Sequence, residues 1–201
     1  MGDEMMHKHA LFHMSMRNQR GLTLVELAVV LTIAAILYMQ AAPMFSVWIG
    51  NTQTRTAAES TLNGLQLARG EAIRRNRLVQ LVFTDGTAAS WTVGCTNPVD
   101  NGTADVDDPG DCLPVIQARA AAETSTQPQL AMVPADATTI TFDSLGRITA
   151  NIDGSATATQ VDVTNPFVGT ADRRTLRLAL GAAGDVRMCD PAVAVGDPRG
   201  C

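Results

Sequence analysis

The most prominent pattern in the chain is a long apolar run close to the N-terminus. No charged residue occurs between Glu26 and Arg55, and residues 27–39 are dense in Leu, Val, Ile and Ala. A helix needs about 20 such residues to cross the hydrocarbon core of a bilayer. The run therefore predicts a membrane-spanning helix, which Pro43 would kink and the Gly-Asn pair at 50–51 would loosen.

The same helix is predicted to continue to residue 77 with an amphipathic surface. Small and apolar residues recur there at spacings of three and four, so they share one helix face, which we expect to lie on a β-sheet. These residues are Ala58, Leu62, Leu65, Ala68 and Ala72. Four arginines near the helix end are interpreted as a solvated face that complements the helix dipole, with a filament or DNA contact as the alternative. They are Arg69, Arg74, Arg75 and Arg77.

After the helix, the pattern changes to short alternating runs separated by turn residues. Residues 78–83 and 89–93 are predicted to form a hairpin. Further strands are predicted at 114–119, 138–142, 147–152, 175–180 and 186–188. The stretches 120–134 and 154–170 are interpreted as loops or insertions. The expected fold class is α+β, with a long N-terminal helix packed on an antiparallel β-sheet domain.

The distribution of ionisable residues argues against an enzyme. All three histidines, His7, His9 and His13, lie before residue 21, as does Lys8, the only lysine. If that segment is removed, no histidine remains to act as a general base, triad member or metal ligand. The net charge of -5 also argues against a general nucleic-acid-binding protein. We therefore expect no catalytic residue.

Four cysteines remain to be explained. Their even number, and a spacing unlike that of metal ligands, predicts two disulfides in an oxidising compartment, with free buried thiols as the alternative. Of the three pairings that four cysteines allow, we favour Cys95–Cys112 and Cys189–Cys201. Each of these would close a loop rich in Gly, Pro and Asp.

The acidic stretch at residues 100–111 has some features of a calcium-binding loop. Asp105 and Asp107 have the spacing of calcium ligands, and Gly110 matches the glycine of such a loop. However, Pro109 occupies an expected ligand position, and Ile116 replaces the closing glutamate. We therefore predict a solvated loop tied by a disulfide, and no metal site.

Residues 20–26, RGLTLVE, followed by the uncharged helix, resemble the processing signal of type IV pilins and type II secretion pseudopilins. In that family a prepilin peptidase cuts after the glycine and methylates the new terminal amine. The resemblance implies a cut after Gly21 and an N-methylated Leu22, where the family usually has Phe. Met14 and Met16 are alternative starts, since a leader from Met16 would have the usual short form.

Two other N-terminal signals fit less well. A cleaved secretory signal would have a small-residue cleavage site after the apolar run. A plain signal anchor would leave Glu26 unexplained, because a carboxylate is costly in a bilayer. In the family this glutamate pairs with the terminal amine of a neighbouring subunit during assembly.

The resemblance also implies the organisation and location of the chain. Residues 1–21 would be a cleaved leader, 22–50 the membrane and filament-core half of the helix, 51–77 its amphipathic half, and 78–201 a periplasmic sheet domain. The protein would cross the bacterial inner membrane once and then join a pilus or pseudopilus. Its expected partners are prepilin peptidase and other minor and major pilins or pseudopilins, with no cofactor.

A narrower resemblance rests on residues 57–78, on FDSLGR at 142–147 and on GDVRMCDP at 184–191. These stretches are similar to FimT/FimU-type minor pilins and to the H-type pseudopilin. The first group implies a minor pilin that primes type IV pilus assembly near the filament tip. The second implies a pseudopilin of a type II secretion system.

DNA binding for natural transformation is a third alternative, because some FimT-type pilins carry a basic G-R-x-R near the C-terminus. Here the matching residues 184–187 read GDVR, with Asp185 in place of the first arginine. Loss of Lys8, Arg17, Arg20, Asp3 and Glu4 with the leader would reduce 15 cations and 20 anions to 12 and 18, a net charge of -6. The candidate DNA contacts are Arg173, Arg174, Arg177, Arg187 and Arg199. We expect no specific nucleic-acid binding, since affinity for phosphates needs clustered cations.

Overall fold

The computed structural model describes residues 21, 23–85, 89–99, 111–120, 127–194 and 196–201. The chain divides into two compact units, Met1–Ala41 and Ala42–Cys201. Of the first unit, residues 21 and 23–41 are described. Residues 1–20 of the predicted leader (1–21), Leu22, and residues 100–110 of the acidic stretch (100–111) lie outside the described residues.

One α-helix, α1 (Leu24–Arg75), accounts for the predicted helix almost residue for residue. It continues through Pro43 and through the glycine at position 50, where we expected it to loosen. It ends because Asn76 adopts a left-handed conformation, with φ of 51°. The Asn76 and Arg77 amides then donate to the carbonyls of Ile73 and Ala72, which satisfies the last turn of the helix.

Nine strands follow the helix in the described part of the chain. They are β1 (Val79–Asp85), β2 (Ser90–Cys95), β3 (Gln117–Arg119), β4 (Gln129–Val133), β5 (Thr139–Phe142), β6 (Ile148–Thr149), β7 (Gln160–Thr164), β8 (Leu176–Leu180) and β9 (Val186–Cys189). They form a five-stranded sheet in the order β3-β2-β1-β5-β6 and a four-stranded sheet in the order β4-β7-β8-β9. All paired strands are antiparallel. The predicted α+β fold with a helix on antiparallel sheet is therefore confirmed.

The interpretation of residues 120–134 and 154–170 as loops is wrong in part, because they contain β4 and β7. In β7 the apolar residues do alternate, and Val161 and Val163 are fully buried. Strand β4 is an edge strand with one well-buried side chain, Leu130, so its alternation is hard to see in the sequence. Together they supply half of the second sheet.

The core lies between the second half of α1 and the two sheets. The predicted stripe is buried at Ala58, Leu65, Ala68 and Ala72, whereas Leu62 is half-buried against the same cluster. Small helix residues let the helix backbone approach the sheets closely. Large side chains of the sheets fill the space, namely Leu81, Ile140, Phe142, Val161 and Leu178. This packing fixes the second half of α1 on the sheet domain.

Candidate functional site

The described N-terminal end of the chain is a capped helix terminus that carries one carboxylate. The hydroxyl of Thr23 accepts a hydrogen bond from the Glu26 amide at 3.2 Å, so Thr23 is the N-cap of α1. Glu26 is exposed in the first turn, close to the neighbouring apolar side chains of Leu24 and Val25, which are 84% and 70% exposed. Gly21 is exposed two residues before the cap.

The first part of α1 presents apolar side chains on all sides. One 18-residue window of the helix is apolar enough to cross a membrane, and none of that window is buried. The hydroxyl of Thr32 donates to the carbonyls of Ala28 and Val29, so this polar group is satisfied within the helix. Such a surface needs a bilayer or other apolar helices to cover it.

A second cluster joins α1 to the segment between β7 and β8, residues 165–174, which we call the β7–β8 loop. The Asn51 side chain donates to the carbonyl of Asp172 at 2.9 Å and accepts from the Arg174 amide at 3.0 Å. The buried Asn165 donates to the Gln53 side chain at 3.2 Å. These hydrogen bonds attach the β7–β8 loop to residues 51–53 of α1.

Gly50 is part of this contact rather than a weak point of the helix. A Cβ atom at Gly50 would lie 2.3 Å from Cγ2 of Val168, so only glycine lets the loop approach so closely. This role of Gly50 was not predicted from the sequence. The Gly-Asn pair inside a helical pattern was the available signal, because an isolated glycine in a helix often marks a close approach.

The arginine cluster at the end of α1 is only in part the solvated face that we expected, because Arg74 and Arg77 are exposed but Arg69 and Arg75 are not. The Arg75 side chain is completely buried, and its Nε lies 2.7 Å from Oε2 of Glu71. It also donates to the backbone carbonyl of Asp111, next to Cys112. Arg69 donates to the carbonyl of Gly146 at 3.1 Å. Helix packing against two loops, rather than solvation, therefore explains these two arginines.

Glu71 is held as a carboxylate in this cluster. Its partial burial would raise the pKa, but hydrogen bonds from Arg74 and Arg75 outweigh the burial, and the net pKa is lowered. The charge of Arg75 is thereby balanced where water cannot reach it. The hydrogen bond from Arg75 to the Asp111 carbonyl fastens the end of α1 to the segment that carries Cys112.

Both disulfides have the pairing favoured from the sequence, Cys95–Cys112 and Cys189–Cys201. The first closes the acidic stretch at the end of β2, where backbone hydrogen bonds between Val99 and Cys112 support it. The second ties the C-terminus to the end of β9. Among the residues that the structure describes, no group of three or more His, Cys, Asp or Glu side chains is arranged to hold a metal ion.

Two of the candidate DNA contacts share the outer face of the second sheet. In the strand register Arg177 lies opposite Asp162, and Arg187 lies opposite Ala179. Arg177 forms a two-point ion pair with Asp162 at 2.8 and 2.9 Å, and this hydrogen-bonded partner raises the pKa of Arg177. Arg187 is exposed but donates to the carbonyl of Gly200 at 2.8 Å.

The other candidate arginines lie in loops. Arg173 donates to the carbonyls of Val168 and Pro166 and so braces the β7–β8 loop from within. Arg174 is exposed, and Arg199 pairs with Asp197, whose pKa its hydrogen bonds lower to about 2. The five arginines therefore do not form one open cationic patch in the described structure.

The comparisons with known proteins agree with this architecture. The family described as Type II transport protein GspH matches residues 57–184, which is more than half of the chain. The chain belongs to the GspH family. The match begins on the buried face of α1 and ends at the turn before β9, so it covers most of both sheets. The prokaryotic N-terminal methylation motif matches residues 16–37, a range that contains Gly21, Leu22 and Glu26.

These two matches make this GspH-family chain a member of the type IV pilin and pseudopilin superfamily. Two crystal structures of the type IV minor pilin FimU from Pseudomonas aeruginosa (strain PAO1) are similar to it. The crystal form in space group P21 is 17% identical, with a TM-score of 0.40 over 68% of this chain and 88% of that chain. The P65 form is 18% identical, with a TM-score of 0.41 over 67% and 90%. No curated protein matches the chain.

Proposed function

We propose that this chain is a minor pilin, a structural subunit without enzymatic activity that primes or joins type IV pilus assembly near the filament tip. Prepilin peptidase cuts it after Gly21 and methylates Leu22. Its apolar helix segment anchors it in the bacterial inner membrane, with the sheet domain in the periplasm, until it enters the filament with other pilins. The supporting observation is a methylation motif on the exposed apolar first part of α1, which is followed by a GspH-type domain.

Glu26 is the residue that this function explains best. A carboxylate inside a membrane segment costs several kcal/mol unless it finds a partner. The terminal amine of a neighbouring processed subunit would supply an opposite charge, and pairing would offset part of the desolvation cost of both groups. We propose that this pairing sets the register of the incoming subunit.

The helix cap suggests a competing role for Glu26, and two variants separate the roles. Thr23 and Glu26 stand at the N-cap and third positions of the helix, the arrangement of a capping box, in which glutamine can replace glutamate. Glu26→Gln keeps that hydrogen-bonding capacity but removes the charge, whereas Glu26→Ala removes both. We expect both variants to be cleaved normally and to be equally depleted from sheared filaments.

The matched control is Glu59→Ala, which removes an exposed carboxylate farther along the same helix. It should leave incorporation unchanged. Normal incorporation of Glu26→Gln beside poor incorporation of Glu26→Ala would instead assign Glu26 to helix capping. Mass spectrometry of the same membranes should find N-methyl-Leu22 as the first residue. A chain that retains residues 1–21, or one cut near Ala42, would contradict the pilin proposal.

A second candidate function is the H-type pseudopilin of a type II secretion system, which the description of the matched family favours. Both candidates would be cut by prepilin peptidase and would have the same fold. They would act in different assemblies, a type IV pilus or a type II secretion system. A strain that lacks this gene should lose surface pili if the first proposal is right. If it keeps its pili and instead fails to release type II substrates, the second proposal replaces the first.

We place DNA binding below both functions. Arg173 and Arg177 are engaged within the domain, and an aspartate occupies position 185. Its support is the exposure of Arg174 and Arg187. A salt-dependent DNA-binding assay tests this alternative, and its expected result is given in the Discussion.

A further inference from the structure

The β7–β8 loop carries an apolar side chain that the fold does not use. Phe167 is 75% exposed, the highest value among the described large hydrophobic residues of the sheet domain. Its backbone is nevertheless fixed, since its amide donates to the side chain of Asn165 at 3.0 Å. A single exposed apolar side chain is common on protein surfaces, so the position of Phe167 on a loop that is bonded to α1 at Asn51 carries the argument.

The β7–β8 loop is attached to α1 just beyond the end of the predicted membrane span. About 20 residues of helix cross the hydrocarbon core, so a span counted from Leu27 ends at Ser46. Trp48 follows two positions later and is 63% exposed, and tryptophan is enriched at membrane interfaces. The loop contacts Gly50 and Asn51, which lie only about 6–8 Å beyond Ser46 at 1.5 Å per residue.

From these positions we propose that the β7–β8 loop docks on the phospholipid surface of the membrane that α1 spans, with Phe167 in the interfacial layer. The inference rests on the proposed anchoring by α1. A protein partner would also cover Phe167, but the bilayer is favoured because the loop is bound to the helix where the uncharged segment is about to end.

The contact is apolar rather than electrostatic. Asp172 and Arg174 are both exposed on the same loop, and their charges offset each other. The remaining cation of the loop, Arg173, is half-buried and donates to the carbonyls of Val168 and Pro166. Docking therefore does not require anionic lipids and should show little dependence on salt. Its consequence is that the sheet domain has a set orientation on the membrane until the subunit is withdrawn into a filament.

The test uses the full chain in nanodiscs of phosphatidylcholine whose acyl chains are brominated near the headgroup, because bromine quenches nearby tryptophan. In the native chain Trp48 reports anchoring, since Trp91 is only 3% exposed and is shielded by the core. Phe167→Trp in a Trp48→Phe background then reports the loop. The control is Leu145→Trp in the same background.

Leu145 is a suitable control because it is 67% exposed and lies far from the loop. It precedes Gly146, whose carbonyl binds Arg69, 19 residues or about 28 Å along α1 from Gly50. We expect strong quenching for Phe167→Trp and almost none for Leu145→Trp, at low and high salt alike.

The outcomes separate failure of the inference from failure of anchoring. If Trp48 of the native chain is not quenched, the anchoring proposal itself is wrong. If Trp48 is quenched while Phe167→Trp and Leu145→Trp remain equally bright, the loop does not dock on lipid. Poor filament incorporation of Phe167→Ser in that case would assign Phe167 to a contact with another subunit.

Discussion

Gly64 provides a direct test of how closely α1 packs on the five-stranded sheet. A methyl group at Gly64 would lie 2.8 Å from Cε2 of Trp91 and 3.0 Å from Cδ1 of Leu81, closer than carbon atoms normally approach. Gly64→Ala should gain about 1 kcal/mol from helix propensity. It must also displace a packed ring, and such overpacking costs about 1–3 kcal/mol.

Gly70→Ala is the matched control, because it makes the same change on the same helix. Its added methyl group would contact nothing within 4 Å, so it should simply stabilise the helix by about 1 kcal/mol. Both variants gain the same helix propensity, so the difference between their stabilities measures only the cost of packing the added methyl group at position 64. We expect Gly64→Ala to be less stable than Gly70→Ala by about 1–3 kcal/mol.

The assay is thermal unfolding of the full chain in detergent, followed by the near-ultraviolet signal of Trp91. In a protein of this size each kcal/mol shifts the midpoint by about 2–4 °C, so the variants should be well separated. If Gly64→Ala unfolds at the same temperature as Gly70→Ala, or higher, the helix does not press on Trp91 and this account of the core is wrong.

Three further predictions concern the charged and cross-linked parts of the domain. Because the folded state lowers the pKa of Glu71, its stabilisation is complete above about pH 4.5 and is lost as the pH falls further. In urea unfolding Glu71→Gln should therefore be less stable than the native chain at neutral pH, with a difference that disappears in acid; a constant difference would contradict the assignment. Removing the second disulfide with Cys189→Ser and Cys201→Ser should lower the free energy of unfolding by about 2–4 kcal/mol, and an unchanged urea midpoint would show that the cross-link does not stabilise the fold. The full chain in detergent should bind DNA no tighter than roughly 10⁻⁴–10⁻⁶ M at physiological salt, and Asp185→Arg should strengthen binding; tight binding that Arg187→Ala abolishes would make this a DNA-uptake pilin.

Local signals in the sequence were sufficient for the helix, for most strands and for the processing motif. The length of α1 follows from an uncharged run joined to a stripe at helical spacing, both of which are short-range patterns. The β1–β2 hairpin could be predicted for the same reason, since its strands are adjacent in the chain. The methylation motif is likewise contained in one short segment.

Pairing between distant segments could not be predicted in the same way. Strand β4 has no strong alternation of its own and becomes a strand because β7 offers it a free edge. The residues that bind the arginines could not be predicted from the sequence either. Arg177 faces a carboxylate 15 residues away, and Arg75 is buried by a loop that lies 36 residues further along.

The sequence by itself therefore determined the features on which the proposed processing and anchoring rest, because the Gly21 motif, Glu26 and the apolar run are short-range patterns. Only the tertiary structure decided how the sheet domain is held on the helix. The Asn51 contacts join residues more than 100 positions apart, and Gly50 matters only because Val168 packs against it. Such contacts have no short-range pattern, since they depend on where the whole fold places each backbone.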